Sequence, residues 1–338
     1  MVNYQVQSLS FFRKVSPIAL FLVAIFIVIE ISYRFYVVGP IALNPWRANS
    51  LNTLMRSEYV RLSQYPDVYF ELKEDAEGWF KGVWLSTNSA GLADKEYSRA
   101  KPDGVFRIAA VGSSWTMPSG VAQDEAWHAV AERELASETG KQVEFINFGV
   151  EFYGLRELVG TVRHKAMIWD PDLIVVAVTI FTSSILWEDA TESQALPDRA
   201  YPVFQSYSIR ALSNRFSWRI RGSADDRTRI DPDNAELRIA QLYRAMSELR
   251  EATSAPVVIM FLGYVPLADS IEQSLRDEAE RLGMTAIFGS DLFPESPEKR
   301  RQFQISSYDR HPNAAGHRLI ADFLVDELQT RELLPNLQ

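Results

Sequence analysis

Apolar runs rich in β-branched residues alternate with amphipathic stretches along the chain from Phe106 onward. This alternation is typical of βαβ units, in which parallel strands form a central sheet and helices cover its faces. The pattern predicts strands at Phe106–Val111, Val143–Phe148, Leu173–Ile180, Pro256–Leu262 and Thr285–Phe288. It predicts helices at Asp124–Ala136, Leu155–Trp169, Asn234–Ala252, Ile271–Leu282 and Asn313–Leu328. The fold class expected is α/β, a three-layer α/β/α sandwich with a mainly parallel five-stranded sheet.

A different apolar pattern occupies the N-terminus. An unbroken run extends from Ile18 to Ile29 and continues less purely through Val38, after the basic residues Arg13 and Lys14. Because basic flanks stay in the cytoplasm, the run predicts an N-terminal transmembrane helix, a signal anchor over residues 1–40, with the rest of the chain outside. A cleaved signal peptide and a buried core helix are the alternatives.

Two stretches fit neither pattern. Residues 41–101 are irregular and rich in Asn, Ser, Pro, Tyr and Trp. We expect a juxtamembrane segment that packs on the domain, since aromatic residues such as Trp79 and Phe80 are costly to leave in water. The domain itself is expected to cover residues 102–338. A polar, Arg-rich stretch at about 186–231 interrupts it and predicts a cap-like insertion.

Composition narrows the function. The net charge of -9 and the isoelectric point near 5.2 argue against nucleic-acid partners, because no basic stripe is present to displace counterions from phosphates. The chain has no cysteine, which excludes disulfides, thiolate catalysis and cysteine-bound metals. No metal-ligand spacing occurs, and no cofactor is expected. Structural roles are predicted for His128, His164 and His317, which all fall within predicted helices.

A serine follows the first predicted strand of the sheet. Ligands bind at the carboxyl ends of strands in such folds, and Ser114 in Gly112-Ser113-Ser114 is placed to present its hydroxyl there. A serine in a turn is also common as a plain loop hydroxyl or a helix cap.

A histidine precedes the closing helix. Pro312 bars a helix through His311, so the imidazole is expected on a loop. Asp309 lies two residues earlier, where an extended segment points both side chains the same way. The carboxylate is then placed to hold the imidazole in the tautomer that accepts a serine proton. A helix-start turn capped by Asn313 is the alternative.

Four blocks together resemble the SGNH/GDSL serine hydrolases over roughly Pro102 to Leu328. The blocks are Arg107-Ile-Ala-Ala-Val-Gly-Ser-Ser114, Asn147-Phe-Gly149, Pro171-Asp-Leu-Ile-Val175 and His311-Pro-Asn-Ala-Ala-Gly-His317. The resemblance implies the flavodoxin-like SGNH hydrolase fold. It also implies Ser114 as nucleophile and His311 as its base, with Asp309 completing the triad.

The sequence departs from this family at three positions. Ser113 replaces the aspartate of the GDS motif, and Phe152 falls where the second-block glycine is expected. The asparagine expected after the third strand is absent, which leaves Thr182 or Ser183 as substitutes. The resemblance therefore implies an oxyanion hole made by the backbone N–H groups of Ser114 and Phe152, with a hydroxyl of Thr182 or Ser183.

The upstream stretch resembles membrane-anchored bacterial members that have cell-surface polysaccharide functions. The resemblance implies a single-pass protein of the bacterial cytoplasmic membrane whose catalytic domain faces outward and removes O-acyl groups, such as acetyl, from a glycan. A lipid ester is another substrate class. The alternatives are acyl transfer, with an acyl-donor or polysaccharide-assembly protein as partner, and glycan binding without catalysis on a degenerate scaffold.

Overall fold

The computed structural model describes residues 17–44, 59–179, 182, 206–209, 212, 232–306 and 309–334. The chain divides into two compact units. One comprises residues 1–49 and 201–229, and the other comprises residues 50–200 and 230–338. Ser183 and the predicted cap, apart from residues 206–209 and 212, lie outside the described residues.

The larger unit contains short hairpins followed by alternating strands and helices. The strands are β1 (Val60–Leu62), β2 (Phe70–Leu72), β3 (Glu77–Phe80), β4 (Val83–Ser86), β5 (Val105–Gly112), β6 (Gln142–Asn147), β7 (Leu173–Thr179), β8 (Val257–Leu262) and β9 (Thr285–Gly289). The helices of the described residues are α1 (Pro17–Val38), which belongs to the smaller unit, α2 (Trp127–Thr139), α3 (Leu155–Thr161), α4 (Pro232–Ala252), α5 (Asp269–Arg281), α6 (Pro297–Arg300) and α7 (Ala314–Thr330).

Five parallel strands form the central sheet, in the order β6-β5-β7-β8-β9. The strands β5, β7 and β8 are buried along their whole length, which explains their near-continuous apolar sequence. Alternate residues of β5 point to opposite faces of the sheet and pack in different hydrophobic cores. Ala109 and Val111 pack with α3, α4 and α5, whereas Ile108 and Ala110 pack with α2 and α7. The three-layer α/β/α prediction is confirmed.

The segment upstream of the sheet is more regular than predicted. Residues 59–101 contain two antiparallel hairpins, β1-β2 and β3-β4. Phe80 and Leu85, one on each strand of the second hairpin, are buried in the core on the α3 side of the sheet. The sequence pattern shows no periodicity here because strands of three or four residues are too short to show a period of two.

The predicted helix Leu155–Trp169 changes its hydrogen-bonding pattern midway. α3 ends at Thr161, and the chain continues as a π-helical turn over Val162–Ala166 and a 3₁₀ turn over Met167–Trp169. Such a change of pitch leaves no mark on the apolar periodicity of so short a stretch.

The smaller unit contains α1. Residues Pro17–Tyr36 are long and apolar enough to cross a membrane, with a mean hydropathy of 2.2. The side chains of Ile18, Phe21 and Val28 are more than half exposed, unlike those of a buried core helix. Arg34 Nε donates to Glu30 Oε1 at 2.7 Å, one helical turn away. Glu30 also accepts the backbone N–H groups of Tyr207 and Ser208.

Candidate active site

Ser114 lies in a tight turn directly after β5. The carbonyl of Ser113 accepts the N–H groups of Thr116 and Met117, each at 2.9 Å. A Cβ on Gly112 would lie 2.0 Å from Thr116 Oγ1, so only glycine fits where the strand enters this turn. Ser114 itself is 8% exposed. The turn thus presents a nearly buried serine at the carboxyl end of β5.

The loop after β6 packs against this turn. Val150 donates its N–H to the carbonyl of Gly112 at 3.1 Å. A Cβ on Gly149 would lie 2.3 Å from Met117 N, so the close approach of the two loops requires a glycine in the Asn147-Phe-Gly149 block.

Phe152 occupies a backbone conformation that favours glycine. Its φ is +69°, and the N–H of Tyr153 donates to the carbonyl of Val150 at 3.3 Å, which places Phe152 at the third position of a turn. The side chain is 37% exposed. The left-handed angle agrees with the glycine that the family resemblance expects here.

His311 and Asp309 form a pair on the loop before α7. Nδ1 of His311 is hydrogen-bonded to Oδ1 of Asp309, which also accepts the backbone N–H of His311 at 3.0 Å. α7 begins at Ala314, so the expectation that Pro312 keeps His311 outside the helix is confirmed. Asn313 accepts the N–H of Gly316 at 3.1 Å, so the capping turn and the His–Asp pair coexist in one loop.

Neighbouring groups favour the ionised form of the Asp309 carboxyl group. Burial alone would raise the pKa of this carboxyl group, but the hydrogen bond from His311 and the nearby His311 and Lys81 charges hold the pKa well below its usual range. Asp309 is therefore ionised at neutral pH. A carboxylate on Nδ1 fixes the tautomer that leaves Nε2 as a proton acceptor.

Aromatic contacts join the serine turn to the histidine loop. The ring centroid of Trp115 is 4.9 Å from that of Tyr264, which follows β8. The Tyr264 hydroxyl donates to the carbonyl of Arg310 at 2.7 Å, one residue from His311. Within the described residues, Ser114 makes no hydrogen bond to His311. The two loops therefore lie at the same edge of the sheet, without a hydrogen bond between Ser114 and His311.

Thr182 lies beneath the serine turn. Its hydroxyl oxygen is 3.0 Å from Ser113 Oγ and 3.0 Å from Thr179 Oγ1, and the side chain is fully buried. These contacts tie the end of β7 to Ser113, so the hydroxyl of Thr182 supports the turn that carries Ser114.

Two charged residues at this edge were missed by the sequence analysis. The ammonium of Lys81 pairs with Glu151, and it lies 3.7 Å from Asp309 Oδ2 and 3.5 Å from His311 Nδ1. Phe80-Lys81-Gly82-Val83 has the form of a strand-turn-strand, and Gly82 is the only signal that marks it. No pattern in the sequence links this hairpin to residues 230 positions later.

The remaining histidines lie apart from this pair. His128 and His317 are buried between α2 and α7, and burial lowers the pKa of each to about 3. His164 is 2.9 Å from Asp67 and stacks on Tyr65. Across the described part of the chain, no group of three or more His, Asp or Glu side chains is placed to hold a metal ion.

Comparison with known proteins gives similarity at the level of structure only. No protein-family model matches the sequence, and no curated protein matches it. A lipase/acylhydrolase from Enterococcus faecalis shares 15% identity, with 67% of this chain and 96% of that chain covered and a TM-score of 0.41. A two-domain esterase active on acetylated mannans shares 14% identity, with 67% and 50% covered and a TM-score of 0.43.

A third solved structure, from Desulfitobacterium hafniense DCB-2, is described as a putative lipolytic protein of the G-D-S-L family. It shares 13% identity, with 65% of this chain and 97% of that chain covered and a TM-score of 0.38. The three alignments cover 65–67% of this chain.

Proposed function

We propose that this protein is a serine esterase, a carboxylic ester hydrolase of the SGNH/GDSL type. The observation that carries the proposal is the hydrogen-bonded His311–Asp309 pair, on a loop joined through Tyr264 and Trp115 to the turn that carries Ser114. A serine, an imidazole and a carboxylate on adjacent loops are the three groups that acyl transfer through a covalent intermediate requires.

The reaction follows from the roles of these groups. Nε2 of His311 accepts the hydroxyl proton as Ser114 Oγ attacks the ester carbonyl carbon, and Asp309 stabilises the imidazolium that forms. The backbone N–H groups of Ser114 and Phe152 donate to the oxyanion. Collapse of the intermediate expels the alcohol, which takes the proton from His311. Water, activated by the same imidazole, then hydrolyses the acyl-enzyme.

Substrate binding is expected to form the missing hydrogen bond between Ser114 and His311. Such bonds are often long in ligand-free sites and shorten in the Michaelis complex.

We extend the proposal to location and substrate class. α1 is proposed as an anchor in the bacterial cytoplasmic membrane with the hydrolase domain outside, because the helix is long, apolar and exposed, and basic residues precede it. The substrate is proposed to be O-acyl groups on a cell-surface or exported glycan, on the resemblance of the upstream stretch to membrane-anchored polysaccharide-associated members.

The test uses the full chain in detergent with p-nitrophenyl acetate. Ser114→Ala and His311→Ala are expected to lower kcat/KM by at least about 10³-fold, because each removes a group that works as a unit with the other. Ser119→Ala is the matched control, since Ser119 is buried in the same loop and its hydroxyl has no hydrogen-bond partner. It is expected to keep wild-type activity.

Retention of activity in Ser114→Ala, within tenfold of wild type, would contradict the proposal. An O-acetylated oligosaccharide supplied with a second, unacetylated one then identifies the reaction class. Free acetate supports hydrolysis, acetyl groups on the second oligosaccharide indicate transfer, and binding without either product indicates a non-catalytic glycan-binding protein.

A further inference from the structure

Lys81 reaches the His–Asp pair from outside the α/β sandwich. The pairing of Phe80 with Val83 leaves Lys81 and Gly82 as a two-residue turn between β3 and β4. Their φ angles are +46° and +85°, the left-handed values of a type I′ hairpin turn, where Asn-Gly is favoured. A lysine in this conformation is strained, because its Cβ lies close to the neighbouring carbonyl oxygen. Non-glycine residues held in such conformations cluster at functional sites.

The ammonium group of Lys81 is enclosed by the site. Its side chain is only 8% exposed, it pairs with Glu151, and it lies 3.7 Å from Asp309 Oδ2. Nδ1 of His311 is 3.5 Å away. Since Nδ1 donates its proton to Asp309, the ammonium acts on the imidazole as a neighbouring charge. Lysine is almost never this buried without a partner, and here it has two carboxylates.

Glu151 connects this cluster to the proposed oxyanion hole. It is 2% exposed and directly precedes Phe152. Its Oε2 has no hydrogen-bond partner, so the ion pair with Lys81 is the contact that compensates for burial of this carboxylate. The positive charge of Lys81 therefore links Glu151, on the loop that carries Phe152, to Asp309.

We propose that Lys81 and Glu151 are a positioning pair for the hydrolase reaction, one that holds the Phe152 loop against the His311–Asp309 pair and balances the charge that develops on His311. This inference rests on the function proposed above. With neutral His311 the cluster of Lys81, Glu151 and Asp309 carries one net negative charge, and with the imidazolium it carries none. Without Glu151, the positive charge of Lys81 would neutralise the negative charge of Asp309. The positive charge of the imidazolium would then have no compensating partner.

Other charged or titratable groups also face His311. His317 interacts with it electrostatically from α7, Arg310 adjoins it on the loop, and the Tyr264 hydroxyl approaches from the end of β8. These groups stay in place in every variant below, so differences between variants report the Lys81–Glu151 pair.

The experiment follows the imidazole of His311 directly. The full chain in detergent, labelled with ¹³C at the histidine rings, is titrated by NMR, and the His311 signal is assigned by its absence in His311→Asn. Lys81→Met removes a positive charge, so the titration midpoint is expected to rise by about one pH unit. Glu151→Gln removes a negative charge, so the midpoint is expected to fall by a similar amount. The double variant is expected to return near wild type.

Activity gives the second readout. The acid limb of the kcat/KM profile with p-nitrophenyl acetate is expected to move with the NMR midpoint, upward for Lys81→Met and downward for Glu151→Gln. We expect Lys81→Met to lower kcat by about tenfold with a smaller change in KM, because a positioning group acts mainly in the transition state.

Lys101→Met is the matched control. Lys101 also bridges two carboxylates, Asp170 and Asp172, but at the amino ends of β5 and β7. The Lys101→Met variant is expected to be less stable than wild type, with an unchanged titration midpoint of His311.

Midpoints that move in the same direction, or not at all, in Lys81→Met and Glu151→Gln would overturn the positioning role. Glu151→Gln keeps the shape of the side chain, so it still tests the charge balance of the cluster if Lys81→Met fails to fold. Failure of the proposed function has a different signature, full activity in Ser114→Ala.

Discussion

At the scale of single residues, two positions of the proposed site have a strained backbone conformation. Within the described residues, five non-glycine residues have positive φ, and Lys81 and Phe152 are two of them. Lys81 lies beside the His311–Asp309 pair, and Phe152 directly follows Glu151, which pairs with Lys81. A bulky residue in the left-handed region persists only where the surrounding structure compensates for its cost.

Phe152 provides a direct test of this strain. Phe152→Gly and Phe152→Ala both remove the ring and keep the N–H, but only glycine adopts a φ of +69° at no steric cost. The glycine variant is expected to have the larger free energy of unfolding, by about 1 kcal/mol, measured by urea denaturation.

At an ordinary position the order is reversed, because glycine loses more backbone entropy than alanine on folding. An alanine variant as stable as the glycine variant, or more stable, would show that Phe152 does not hold the left-handed conformation in solution. Both variants are expected to keep the oxyanion donor and therefore esterase activity.

At the scale of secondary structure, the sequence predicts the sheet well and the site only in part. The strands that are buried on both faces, such as Leu173–Thr179, are predicted from short apolar runs that are rich in β-branched residues. The location of His311 outside a helix follows from Pro312. The β3-β4 hairpin was missed because its strands are too short to be periodic, and the Lys81 contacts were missed with it. Long-range charge pairs leave no local pattern.

The packing of α2 on α7 places two uncharged histidines in the interior. Burial lowers the pKa of His128 and of His317 from 6.5 to about 3. Below pH 6.5 the unfolded chain binds a proton at each histidine and the folded chain does not. The free energy of unfolding therefore falls as pH falls from 6.5 towards 3, by about 1.4 kcal/mol per pH unit for each histidine.

His128→Leu removes one of these contributions. Neither ring nitrogen of His128 has a hydrogen-bond partner, so an apolar replacement is expected to be tolerated at pH 8. Between pH 6 and 4 the variant should lose stability less steeply than wild type, by about 1.4 kcal/mol per pH unit, in urea denaturation. Burial raises the pKa of nearby Asp94 to about 7, which adds stability as pH falls and so opposes the effect of the histidines. This contribution is present in both proteins and cancels when their slopes are compared. Equal slopes would show that His128 is not buried uncharged.

At the scale of the whole molecule, the proposed site depends on segments that are distant in sequence. The α/β sandwich supplies Ser114, Phe152 and the His311–Asp309 pair, and the hairpin upstream of it supplies Lys81. Residues 59–101 are thus more than a spacer after α1, because they complete both the hydrophobic core and the charge balance of the site.

The central claim is that Ser114 is the nucleophile. We would treat the full chain with a fluorophosphonate, which reacts with serines activated by a neighbouring base, and locate the adduct by mass spectrometry of peptides. We expect one adduct on Ser114 in the wild type and in Ser113→Ala, and none in Ser114→Ala or His311→Ala. An adduct that persists in Ser114→Ala, or that lies on Ser113 in the wild type, would contradict it.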